Sequence, residues 1–163
     1  MGNYATIGMT ILALTIAGAM ASDPAQGKDA DEKEVMEAAN QFYVALNAMF
    51  TGDLTLMREV WSHAEDVSYM GPGGGFQVGW TQVLSAWEEQ AEMKLGGEVR
   101  PEDVRVTVGR DLAVTHNFER GENVDAEGKS QKVSIRATNL FRKENGTWKM
   151  IGHHTDLLPH LAR

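Results

Sequence analysis

The chain contains no cysteine. That absence excludes disulfides, thiolate zinc sites, a cysteine nucleophile and a lipidated N-terminal cysteine. Positive charge is also scarce: 15 Lys and Arg face 23 Asp and Glu, a net charge of −8 over 163 residues. A nucleic-acid surface needs clustered cations, so no nucleic-acid partner is expected. The run Gly71-Pro72-Gly73-Gly74-Gly75 lacks a following Lys-Ser/Thr and is no phosphate cradle. Neither His-Glu-x-x-His nor a Ser-His-Asp order with a nucleophile elbow occurs, and no metal or cofactor is expected.

What is present begins with a leader. Ile7 to Met20 form an apolar run of about fourteen residues, short of the roughly 20 that span a membrane. Ala19 and Ala21 put small residues at −3 and −1 of a signal-peptidase site, although no Lys or Arg precedes Lys28. The expectation is a signal peptide over 1–21 and a secreted or periplasmic protein, free of the membrane once the leader is removed. A flexible spacer over 22–32 and one domain over 33–160 follow, since 42% hydrophobic residues can bury one sizeable core.

From Asp29 to Phe50 the pattern is helical, with Val35, Ala38, Ala39, Phe42, Tyr43 and Leu46 at three- and four-residue spacing. Gly52-Asp53 separates a second helix, Leu54 to Trp61. A short β-rich stretch, Val67 to Met70, and the glycine loop lead to a third helix, N-capped by Thr81 and carrying Val83, Leu84, Trp87 and Ala91 on one face. The rest is β. Val104, Val106 and Val108 alternate with polar residues. Leu112, Val114, His116 and Phe118 then read as an inward face, with Ala113, Thr115, Asn117 and Glu119 opposite. Asp125 to Gly128 is a turn.

The clearest stretch is Ser130 to Asp156. Val133, Ile135, Ala137, Asn139 and Phe141 alternate with Ser134, Arg136, Thr138, Leu140 and Arg142. Asn145-Gly146 supplies a tight turn, and Thr147 to Thr155 returns antiparallel. Three helices followed by strands make an α+β fold, three N-terminal helices packed on a curved antiparallel sheet as a cone. A cavity is expected between the layers.

These pieces resemble the nuclear transport factor two-like superfamily, in its SnoaL-like and ketosteroid isomerase-like branches. The resemblance is carried by Tyr43-Val44-Ala45-Leu46-Asn47 with Gly52-Asp53, and by Trp61 with Ala64-Glu65-Asp66-Val67. Gly79, Val83 and Trp87 add to it, as do Arg136-x-Thr138, Phe141-Arg142-Lys143-x-Asn145-Gly146-x-Trp148 and His154. The chain is also similar to the calcium/calmodulin-dependent kinase association domain. The resemblance implies that the cone is cystatin-like, and that the protein is an acid–base isomerase, dehydratase or cyclase, or a subunit without chemistry. Gly71 stands where the isomerases carry their aspartate base, so their steroid mechanism is not expected here. Tyr43 matches their helix-one tyrosine to within one residue. In the kinase resemblance, His116 and Asn139 match pocket-lining arginines.

The expected catalytic group is therefore His116 as proton carrier, with Asn139 and Tyr43 as hydrogen-bond donors. Tyr69, Trp87, Phe118, Ile135, Phe141 and His154 are expected to bind the ligand, a small apolar molecule. His154 and Asp156 share a strand face, and His116 could join them around an ion, but the ligand motif is lacking. Arg136 lies on the outward face, which the resemblance implies is a homodimer interface. The competing expectation is a non-catalytic dimerisation or scaffold module.

Overall fold

The helical spacing over Asp29–Phe50 is one face of a long helix. The computed structural model describes residues 24–124 and 127–156, so the expected leader over 1–21 lies outside the described residues. Helix α1 (Pro24–Met49) starts inside the stretch expected to be a flexible spacer. Proline suits a first helical turn, where its missing N–H has no partner to lose. Two to three turns further in, Asp31 and Glu34 hold Lys143 Nζ at 2.6 and 3.1 Å.

Helix α2 (Thr55–Val60), strands β1 (Ser68–Met70) and β2 (Gln77–Val78) and helix α3 (Trp80–Met93) follow. Gly79, at φ 82°, rather than Thr81, is the N-cap of α3. Four long strands complete the chain: β3 (Glu98–Val108), β4 (Leu112–Val124), β5 (Ser130–Glu144) and β6 (Thr147–Thr155). The sheet order is β2-β1-β6-β5-β4-β3. It is mixed rather than wholly antiparallel, because β1 pairs parallel with β6. Val35, Phe42 and Met49 of α1, Met57 of α2, and Val83 and Trp87 of α3 pack with Phe141, Trp148 and Met150 of the sheet.

Two registers decide what faces this core. Along β4 and β5, Thr115 is opposite Asn139, Asn117 opposite Ala137 and Glu119 opposite Ile135. Directly paired residues share a face, so the buried side of β4 is Ala113, Thr115, Asn117 and Glu119. The side expected inside, with Leu112, Val114, His116 and Phe118, faces out. On β6, Leu140 pairs with Gly152 but Phe141 with Met150, which leaves Ile151 as a bulge. A bulge shifts the alternation by one. His153 therefore points inward and His154, expected among the ligand-binding residues, points outward. Strand β3 is an edge with a register irregularity between Glu102 and Arg105, where Asp103 adopts φ 55°.

Candidate active site

The inward polar face of β4, β5 and β6 meets Tyr43 of α1 in a chain of hydrogen bonds. Asn139, 0% exposed, donates from Nδ2 to Thr115 Oγ1 at 3.1 Å and to Asn117 Oδ1 at 3.2 Å. Its Oδ1 is thereby left to face His153 Nδ1 at 2.6 Å. That nitrogen must carry the proton, because the amide oxygen can only accept. Asn117 Nδ2 donates to Tyr43 Oη at 2.7 Å, and Tyr43 donates to Glu119 Oε1 at 3.1 Å. The loop nearly closes: His153 Nε2, carrying its lone pair, is 3.6 Å from Glu119 Oε1.

Burial sets the protonation states. Glu119 is 4% exposed, and desolvation pushes its carboxyl up to about 7 against the smaller pull of the Tyr43 hydrogen bond. The His153 imidazole lies between the rings of Phe42, 4.8 Å away, and Tyr69, stacked at 5.8 Å. Desolvation first, and neighbouring His154 second, lower it to about 3. Burial also raises the Tyr43 hydroxyl well above its ordinary range, with Glu119 adding to the shift. Beside a neutral histidine, Glu119 is divided between acid and carboxylate near neutrality and is poised to change charge there.

Glu119 and His153 sit on the wall of a cavity of about 170 Å³ between sheet and helices, shared with Leu46, Tyr69, Trp87 and Thr155. Tyr69 bends back over Gly71, where a Cβ would overlap its hydroxyl. A side chain at 71 is thus excluded by Tyr69 itself. Its Oη accepts from Gln90 Nε2 at 2.9 Å, and burial raises the phenol to about 12.

Of the residues anticipated from sequence, Tyr43 and Asn139 lie in the polar network, and Tyr69, Trp87 and Ile135 line the cavity. Phe141 is buried in the core, off the cavity wall. His116, Phe118 and His154 are corrections: all three line a groove on the opposite face of the sheet, with Arg105, Arg136, Thr138 and Asp156. His116 pairs with Thr138, and Thr138 with His154, in one outward row. Phe118 there lies under the Arg120 guanidinium, 4.6 Å from its ring centre. Among the described residues no group of three or more acidic or histidine side chains is placed to hold a metal ion. Glu119, His153, Asn117 and Thr155 were missed. The signal for them is the pairing of Glu119 with inward Ile135 across the β4–β5 hairpin.

Fold and cavity together define the class. The chain belongs to the SnoaL-like domain family, whose pattern matches residues 35–157. A candidate dehydratase of the NTF2-like family from Streptomyces avermitilis superposes with a TM-score of 0.70 at 26% identity, over 80% of this chain and 98% of that one. An NTF2-like superfamily protein from Salmonella enterica serovar Typhimurium gives 0.70 at 17% identity, over 79% and 92%. A candidate calcium/calmodulin-dependent protein kinase type II association domain from Thiobacillus denitrificans gives 0.64 at 24%, over 76% and 94%. No curated protein matches the chain.

Proposed function

We propose that the protein is an acid–base catalyst acting at carbon next to a carbonyl, as an isomerase or dehydratase, with Glu119 as its proton carrier. The observation that carries this reading is the buried Glu119 carboxyl on the cavity wall: Oε1 accepts from Tyr43, and Oε2 has no hydrogen-bond partner among the described residues. An acid whose pKa lies near 7 can both take and return a proton at working pH. In the forward step Glu119 removes a proton from the carbon, and the C–H electron pair moves into the carbonyl. Tyr69 donates to the resulting oxyanion. Return of the proton to a different carbon completes an isomerisation; its transfer to a departing β-hydroxyl releases water. His153, its tautomer fixed by Asn139, keeps an acceptor beside Glu119 and can share its proton. The dehydratase description of the Streptomyces neighbour agrees with this reaction class.

The test is hydrogen–deuterium exchange at C6 of cyclohex-2-enone, the saturated carbon next to its carbonyl, in D₂O, followed by NMR. Wild-type protein should accelerate exchange, and Glu119→Gln should lose roughly 10²–10⁴-fold of that rate. Exchange no faster than in buffer, or undiminished by the substitution, would sink the reading.

A second reading concerns the outward sheet face, where Leu112 (55% exposed) and Leu140 stand beside Val114 and Phe118. This apolar face suits a second copy of the chain, and the similarity to a candidate association domain agrees with self-assembly. Sedimentation equilibrium should give a dimer for the wild type and a monomer for Leu140→Arg. A monomeric wild type would remove this reading.

A further inference from the structure

Two histidines on the outward face of the sheet stand where a partner would cover them. Arg105 on β3 pairs with His116 on β4, His116 with Thr138 on β5, and Thr138 with His154 on β6. These four side chains form one row across the sheet, and Arg105, His116 and His154 are exposed. The row lines a groove of about 650 Å³. Side chains two residues apart share a strand face, so His116 lies between Val114 and Phe118, and Thr138 between Leu140 and Arg136. A partner that buries the apolar residues on either side must bury the row as well.

The charges around the row say which partner fits. Strand β3 brings Asp103, Arg105 and the Arg100–Glu102 pair. Strand β4 brings Arg120, β5 brings Arg136, and β6 brings Asp156, which is paired with Arg136. Both signs on one partly apolar face suit a second copy of the chain, because in a two-fold contact the patch meets itself and each acid can find a base. A partner of one charge sign gains no such balance.

Histidine is the side chain that ordinarily changes charge between about pH 5 and 8. With both histidines neutral, the four arginines exceed the three carboxylates by one. Protonation of both adds two further cations to a face already in excess. His116 is also directly opposite Arg105, and like charges at directly paired positions repel. Under a partner the effective dielectric constant falls from about 80 to about 20, and that repulsion grows about fourfold. Covered histidines therefore resist protonation, and protonation drives the copies apart.

We infer that a second copy of this chain covers the row of Arg105, His116, Thr138 and His154, and that protonation of the two histidines releases it. This release rests on the self-assembly reading of the same face and adds its regulation. Sedimentation equilibrium of the full chain at about pH 7.5 and about pH 5.5 tests it, with circular dichroism at both to follow the fold. The dissociation constant should rise at least about tenfold in acid, the change that one linked proton produces over one pH unit. The double variant His116→Gln with His154→Gln should still pair, with a shift below about threefold.

The sign of the effect is diagnostic. The chain carries a net charge of −8, and acid lessens the long-range repulsion between copies, so bulk charge alone would tighten pairing at the lower pH. Pairing that is unchanged or tighter in acid, or a double variant as sensitive as the wild type, would overturn the inference and leave the self-assembly reading standing. Release that coincides with loss of the fold would overturn it too. A wild type that is monomeric at the higher pH removes both.

Discussion

Asn139→Leu should destabilise the fold by at least about 3 kcal/mol, measured by urea unfolding, because the substitution strands three buried groups at about 1–3 kcal/mol each. His153 Nδ1–H loses its acceptor, and Thr115 Oγ1 and Asn117 Oδ1 lose their donor. Leucine conserves much of the volume, so a cavity does not explain the loss. The effect is a large fraction of a typical domain's total stability, about 5–15 kcal/mol. It also has a chemical signature. Without the amide, nothing fixes the His153 tautomer, and the ¹⁵N shifts of its ring nitrogens should move toward a mixture. A loss below about 1 kcal/mol with unchanged ring shifts would mean that the network is not what holds these groups.

The second large effect is in how stability depends on pH. Burial raises Glu119 from its ordinary 4.5 to about 7. Its contribution is full below 4.5 and is lost as pH rises through 7, because over that window the folded chain holds a proton the unfolded chain has released. His153 runs the other way, lowered from 6.5 to about 3. Its contribution is full above 6.5 and is lost as pH falls toward 3. Between 4.5 and 6.5 each state binds one proton on this pair, on Glu119 when folded and on His153 when unfolded, so the two slopes cancel. Wild-type protein should show no net slope from this pair there. Glu119→Gln should uncover a stability that rises with pH up to 6.5, by at most about 1.4 kcal/mol per pH unit. His153→Gln should uncover one that falls from 4.5 to 7. Equilibrium unfolding at half-unit pH steps checks it, and two variants with parallel profiles would show that the groups do not titrate as an opposed pair.

The sequence makes the element order plain, because helical spacing and strand alternation are local. Strand β5 is also read in its correct phase, since Val133 to Phe141 are inward or core residues in both descriptions. Strand β4 is not, because alternation alone takes its more apolar stripe, Leu112, Val114 and Phe118 with His116, as the inward one. In the structure Val124 pairs with Ser130, five residues lie between them, and odd pairs with odd. Polar residues can fill the inward stripe because Tyr43, Asn139 and His153 meet them there, a condition set by residues distant in the chain. His154 was expected at the ligand through the family resemblance, and the bulge at Ile151, which turns His153 inward instead, leaves no mark in the sequence pattern. Tyr43 and Asn139 were found because helix spacing and the β5 stripe each place them inward.

The irregular edge of the sheet has a consequence for how copies of this chain can meet. Pro101 of β3 has no N–H to offer, the register breaks between Glu102 and Arg105, and Glu98, Arg100, Glu102 and Arg105 spread charge along the strand. The other edge, β2, is two residues long. Neither margin offers the long, flat, unpaired ladder that recruits a foreign strand. Growth by strand addition, the route to fibres, is disfavoured at both margins, so a contact between copies would have to use the broad faces of the sheet rather than its edges.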